Sequence, residues 1–166
     1  MVPPTRIRIS IVEDELQMSE MLKDYIQHKY PIAEINRYSS GEEALEKIIE
    51  AQDMFIVDYY LDSDNPNAMN GVQFLKKIQE RYPKAQVIFL SGQEKAQVAA
   101  DTMKYGAYDY IVKNDNAFNR LEIVCKNVLG ETSLKRNLGT QKFFNYLLIL
   151  LIAALLIGMG MMKWSS

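Results

Sequence analysis

Five side chains of this 166-residue chain stand where chemistry is easiest to build: Glu13, Asp14, Asp58, Ser91 and Lys113. Each lies at the end of a short apolar run: IRISIV (7–12), MFIV (54–57), VIFL (87–90) or YIV (110–112). Three carboxylates gathered in one cleft repel one another and raise each other's pKa unless a cation joins them. Their oxygens are hard ligands with no soft ligand nearby, which favours octahedral Mg²⁺ with retained waters, and Mn²⁺ as a substitute. The lysine and serine add what a phosphoryl group needs. The metal and the Lys113 ammonium neutralise its oxygens, and the Ser91 hydroxyl donates a hydrogen bond. In that setting Asp58 is the nucleophile that forms an aspartyl-phosphate.

Such a cluster requires elements that bring distant segments to one edge. IRISIV reads as a buried strand, and Met18, Met21, Leu22, Tyr25 and Ile26 then recur at helical spacing up to Pro31. A strand at Glu34–Tyr38 precedes a helix capped by Ser39 and Ser40 and containing Ala44, Leu45, Ile48 and Ile49. Met54–Val57 is the third strand, and Gly71–Arg81 is a helix closed by Pro83. Gln86–Leu90 is the fourth strand, and Gln93–Tyr105 is a helix stopped by Gly106. Asp109–Val112 is the fifth strand. Phe118, Leu121, Val124, Cys125 and Val128 mark a last helix that ends at Gly130. Alternating strands and helices predict an α/β fold, a doubly wound five-stranded parallel sheet with helices on both faces. Ligands of such sheets bind at the carboxyl ends of the strands, where all five polar residues fall.

The formal charge of −2 and pI near 5.5 give no support for nucleic-acid binding. One cysteine and one histidine exclude an intrachain disulfide and a zinc framework. Cys125 reads as a core residue and His28 as surface. The N-terminus lacks the apolar run of a secretory signal, so the domain that follows is expected to stay in the cytoplasm. The mean hydropathy of −0.17 hides a contrast. Residues 143–162, FFNYLLILLIAALLIGMGMM, carry no charge. Twenty helical residues at ~1.5 Å each reach about 30 Å, the thickness of a bilayer core. The expected organisation is a domain at 1–130, a polar linker at 131–142, a transmembrane helix at 143–162 and a short exterior tail at 163–166. Lys126, Lys135, Arg136 and Lys142 precede the span and only Lys163 follows it, which favours a cytoplasmic N-terminal domain on the inner membrane. Trp164 suits the headgroup region, and Ala154 with Gly158 forms a small-xxx-small pair suited to a homodimer.

Four motifs together resemble the receiver domains of two-component response regulators: IVEDE (11–15), FIVDYYL (55–61), VIFLSG (87–92) and KYGAYDYIVK (104–113). The resemblance covers about residues 5–130. It implies a flavodoxin-like receiver fold whose Asp58 accepts phosphate from a sensor histidine kinase or histidine phosphotransfer protein. It further implies Mg²⁺ held by Glu13, Asp14, Asp58 and the Tyr60 backbone carbonyl, and Lys113 paired with the phosphoryl oxygens. Ser91 would move toward the phosphate and Tyr110 would turn inward behind it, remodelling a surface for a downstream protein target. Gly92 would leave the phosphate accessible.

Two departures stand out. Asn114 follows the lysine where the family usually has proline, commonly with a cis peptide. Asn70-Gly71 comes twelve residues after Asp58, later than is usual, and the usual Met-Pro is absent. The loop DSDNPN (62–67) fails as an EF-hand, since Pro66, Asn67 and Gln73 stand where a ligand, a glycine and a glutamate are needed. Aspartate-nucleophile phosphatases need a second acid where Tyr60 stands, which argues against a turnover enzyme. The expected function is therefore a membrane-tethered signalling switch that catalyses only its own phosphotransfer and dephosphorylation. With only the linker and span read after residue 130, no DNA-binding or catalytic output domain is expected in this sequence. The alternative is a phosphate-independent docking protein.

Overall fold

The computed structural model describes residues 7–61, 68–92 and 95–164; within the last helix, the side chains of 132–142 and 153–164 are not described. Five strands, β1 (Arg8–Val12), β2 (Glu34–Tyr38), β3 (Met54–Val57), β4 (Gln86–Ser91) and β5 (Asp109–Val112), alternate with five helices. The helices are α1 (Leu16–Lys29), α2 (Gly41–Lys47), α3 (Gly71–Arg81), α4 (Ala96–Lys104) and α5 (Ala117–Trp164). The strands form one parallel sheet in the order β2-β1-β3-β4-β5, so the chain reverses direction across the sheet beside β1 and β3. That is the topological switch point, where neighbouring connections leave on opposite faces and open a crevice.

The pleat sorts the strand residues into two cores. Met54 and Ile56 face one side with Ile9, Ile11, Ile88, Leu90 and Ile111, packed on α1 and α5. Phe55 and Val57 face the other with Val12, Val87, Phe89 and Tyr110, packed mainly on α2 and α3. Period-two alternation with both faces covered explains why these strands read as unbroken apolar runs. The α3 helix starts on a reciprocal cap: Asn70 and Gln73 each accept the other's backbone N–H through their side chains. Phe74, fully buried, then meets the edge of Phe55 at 5.8 Å.

Three helix boundaries differ from expectation. The α2 helix stops at Lys47 and does not include Ile48 or Ile49. The Arg81 guanidinium takes the Leu45 and Ile48 carbonyls, and the Tyr82 hydroxyl also donates to Ile48 at 2.8 Å. These donors end the helix from outside, and Ile49 is left 85 % exposed. The α4 helix begins at Ala96; Gln93 and Glu94 lie outside the described residues. Its C-terminal glycine does act as read, with Gly106 at φ +88°. Gly130 does not stop α5, which runs on to Trp164. Its φ is not left-handed as a capping glycine requires, and the residues after it tolerate a helix.

Contacts divide the chain into two compact units, Met1–Leu129 and Gly130–Ser166. Among the described residues no helix is long and apolar enough to cross a membrane. Residues 153–162 of the expected span, including Ala154 and Gly158, have side chains outside those described. So do Lys135, Arg136, Lys142, Lys163 and Trp164, and the DSDNPN loop lies outside entirely.

Phe74→Ala removes a buried ring from the α2–α3 core and is expected to cost about 3–5 kcal/mol, read as a lower urea midpoint at unchanged slope.

Candidate functional site

The strand ladder fixes the site before any side chain is placed. Three backbone bonds continue the parallel pairing one residue past the strands. The Glu13 N–H donates to the Tyr38 carbonyl at 3.0 Å, Asp58 to Val12 at 2.9 Å, and Lys113 to Ser91 at 2.8 Å. The residues after β1, β3 and β5 are thereby held in register at one edge of the sheet.

Lys113 joins them. Its ammonium donates to both Glu13 oxygens, at 3.0 and 2.9 Å, and to Asp58 Oδ2 at 2.8 Å. The other Asp58 oxygen accepts the Tyr60 N–H at 3.3 Å. Glu13 is only 3 % exposed, whereas Asp14 is exposed. Burial is the main influence on Glu13 and pushes its carboxyl up to about 7, against the pull of Lys113 and with the charges of Asp58 and Asp14 adding to the rise. Burial works against the Lys113 charge too, but hydrogen bonds to Asp58 and Glu13 outweigh it and its pKa is raised.

Glu13, Asp14 and Asp58 each offer a carboxylate oxygen, and these oxygens lie within 4.8 Å of one another. Ligands of an octahedral Mg²⁺ at ~2.1 Å stand about 3.0 Å apart when adjacent and about 4.2 Å when opposite, so these oxygens would draw together to share one ion. An all-oxygen donor set with a water-facing member fits Mg²⁺ or Mn²⁺.

Behind the acids, Ser91 is fully buried and Tyr110 is 9 % exposed. Alternation puts both on the α2–α3 face, where the Tyr110 phenol shares a hydrogen bond with Ser91. Burial raises the Tyr110 pKa, the Ser91 bond lowers it, and the nearby Asp58 charge raises it further. The tyrosine is thus an inward side chain, its ring 6.4 Å from Phe89. Among the described residues, a Cβ on Gly92 would meet nothing within 4 Å. Asn114 turns the chain from β5 into α5: its side chain accepts the Asn116 N–H at 3.0 Å, and its carbonyl accepts that of Ala117. No cis peptide occurs among the described residues.

Sequence reasoning missed two supports. Gly71 donates its N–H to the Tyr59 carbonyl at 3.0 Å, and the Met69 N–H donates to Glu42 at 2.7 Å. The Asn-Gly pair before the α3 pattern was the available signal; nothing in the sequence marked Glu42.

The raised Glu13 pKa has a pH signature. An unfolded glutamate titrates near 4.5 and the folded one near 7, so this group's stabilisation is full below about 4.5 and is lost as pH rises through 7. In metal-free buffer the wild type is expected to lose stability relative to Glu13→Gln across that window, measured by thermal melts at both ends.

A family model for the response regulator receiver domain matches residues 9–124. Among curated proteins, a protein-glutamate methylesterase/protein-glutamine glutaminase of Sulfurimonas denitrificans is 30 % identical over 131 residues, covering 77 % of this chain and 36 % of that protein. The regulatory protein LuxO of Vibrio cholerae is 25 % identical over 138 residues, covering 82 % and 28 %. The chain thus spans about a third of the length of these curated relatives. Among solved structures, a response regulator receiver domain protein from Clostridium thermocellum superposes with a TM-score of 0.66 at 24 % identity, covering 77 % of this chain and 98 % of that one. NtrX from Brucella abortus gives 0.69 at 24 %, covering 81 % and 29 %. With the family match spanning more than half of the sequence, this chain belongs to the response regulator receiver domain family.

Proposed function

We propose that this protein is a membrane-tethered receiver that takes a phosphoryl group onto Asp58 from the phosphohistidine of a sensor histidine kinase or histidine phosphotransfer protein. The observation that carries this reading is the Lys113 ammonium bound to both Glu13 oxygens and to Asp58, with Asp14 within reach. A single cation bridging two acids at a sheet edge neutralises charge where a phosphoryl group arrives. Glu13, Asp14, Asp58 and the Tyr60 carbonyl would hold Mg²⁺ or Mn²⁺, which screens the carboxylate from the incoming phosphoryl oxygens.

In the transfer, an Asp58 carboxylate oxygen attacks phosphorus, the new O–P bond forms as the N–P bond breaks, and the imidazole leaves with a proton from solvent. Lys113 shifts from the carboxylates to a phosphoryl oxygen. Ser91 turns its hydroxyl to another, and the bond it shares with Tyr110 carries the change to β5. The output is contact with a downstream protein, not turnover of a substrate. Tyr60 at the position of a phosphatase acid supports that reading.

The tether is residues 143–162. In support, Phe143, Phe144, Tyr146 and the run Leu147–Ile152 are all exposed around a helical segment. Exposed apolar side chains on every face of a helix need a partner of the same polarity. The cationic residues before the span favour an inner-membrane protein with its receiver in the cytoplasm and a short exterior tail. The small pair Ala154 and Gly158 suits a homodimer. The alternative, phosphate-independent docking, draws on Asn114 in the usual proline's place and on the long loop after Tyr60.

Incubating the full chain with Mg²⁺ and acetyl phosphate is expected to give one base-labile phosphoryl adduct by intact mass, absent from Asp58→Asn. No adduct, or one that survives the substitution, favours the docking alternative. A reporter fused to the C-terminus is expected to be active only outside the cytoplasm; cytoplasmic activity contradicts the topology.

A further inference from the structure

The segment Asp58–Tyr60 carries the phosphoacceptor and the carbonyl assigned to the cation, yet it opens onto a loop longer than is usual. The structure holds it from the loop's far end. The Gly71 N–H donates to the Tyr59 carbonyl at 3.0 Å, crossing from the start of α3 to the residue between Asp58 and Tyr60. The approach is closer than any side chain permits. A Cβ on Gly71 would lie 2.6 Å from the Phe89 ring, 3.0 Å from the Tyr59 Cα and 3.2 Å from the Tyr59 oxygen. Phe89 is fully buried, with the Tyr59 ring at 6.2 Å and the Tyr110 ring at 6.4 Å, which leaves it little room to yield.

Gly71 is itself held. Asn70 and Gln73 cap α3 through paired bonds of 3.0 Å. One residue earlier, the buried Met69 gives its N–H to Glu42 of α2 at 2.7 Å. A carboxylate accepting a backbone N–H makes a stronger bond than a neutral acceptor does. The loop's return is thus tied to α2, its last residue is capped on α3, and α3 begins against the Tyr59 backbone.

We propose that Gly71 and Glu42 are positioning residues for the divalent-cation site, clamping Tyr59 and with it the Tyr60 carbonyl assigned to the ion. This rests on the reading that Glu13, Asp14, Asp58 and Tyr60 hold a divalent cation. Neither residue touches the ion. Their effect passes through one backbone oxygen, in the way that outer partners of metal ligands set affinity.

The test is Mn²⁺ binding to the purified full chain, followed by loss of the free Mn²⁺ electron paramagnetic resonance signal, with metal-free melting curves alongside. Gly71→Ala is expected to weaken Mn²⁺ binding roughly tenfold or more, the range seen when outer partners of ligands are lost. Glu42→Ala is expected to weaken it less. Glu42→Gln, whose amide oxygen still accepts the Met69 N–H through a weaker neutral bond, is expected to recover most of the wild-type affinity. If Gly71→Ala does not fold, the Glu42 pair decides alone. Lower melting temperatures with unchanged Mn²⁺ affinity would overturn the proposal and leave both residues as fold supports. A wild type that binds no Mn²⁺ would overturn the cation reading itself, and this inference with it.

Discussion

Everything at the sheet edge depends on one ammonium ion. Without Lys113, Glu13 and Asp58 would face each other as buried or half-buried acids, and the charges of Asp58 and Asp14 would drive Glu13 further toward protonation. With it, both Glu13 oxygens and one Asp58 oxygen have a donor at ordinary hydrogen-bond length. Burial still dominates at Glu13, whose pKa stays raised. On the proposed reading, a divalent cation would take the acids from this ammonium, and a phosphoryl group would take the ammonium from the acids. A site satisfied too well in its resting form would have no reason to accept either.

The fold's contribution is to set that ammonium opposite those acids with little freedom. Parallel pairing delivers β1, β3 and β5 to the same edge, and one further ladder bond beyond each pins Glu13, Asp58 and Lys113. Pleat parity then decides what lies behind them. Phe89, Ser91 and Tyr110 share the α2–α3 face, so a change at the acids meets a hydroxyl, a phenol and an aromatic ring before it meets solvent. The same parity divides the interior into two cores, one packed on α1 and α5 and the other mainly on α2 and α3.

Much of this was legible in the residues, for physical reasons that also mark where reading fails. Strands such as Met54–Val57 announce themselves because both faces are buried, and Gly71–Arg81 because its apolar spacing and closing proline are local. The α2 end was not legible, because Arg81 and Tyr82 stop it from another helix more than thirty residues away. Gly130 misled for the opposite reason: a glycine is compatible with a cap but does not compel one unless its backbone turns left-handed. At the site, the residue types identified the chemistry, but only the folded chain has Lys113 spanning both Glu13 oxygens, Asn114 folding its side chain into a turn, and Gly71 seated on Tyr59. Those are contacts between segments, and a sequence states only what each segment prefers by itself.

The central claim is that Asp58 forms an acyl phosphate, and borohydride trapping tests it most directly. Reduction of an aspartyl-phosphate breaks the acyl C–O bond and leaves homoserine at the modified position. After exposure of the full chain to Mg²⁺ and an acyl phosphate, peptide sequencing is expected to find homoserine at position 58 and nowhere else. Unreduced Asp58 throughout, or homoserine at Asp14 or another acid, would contradict the account.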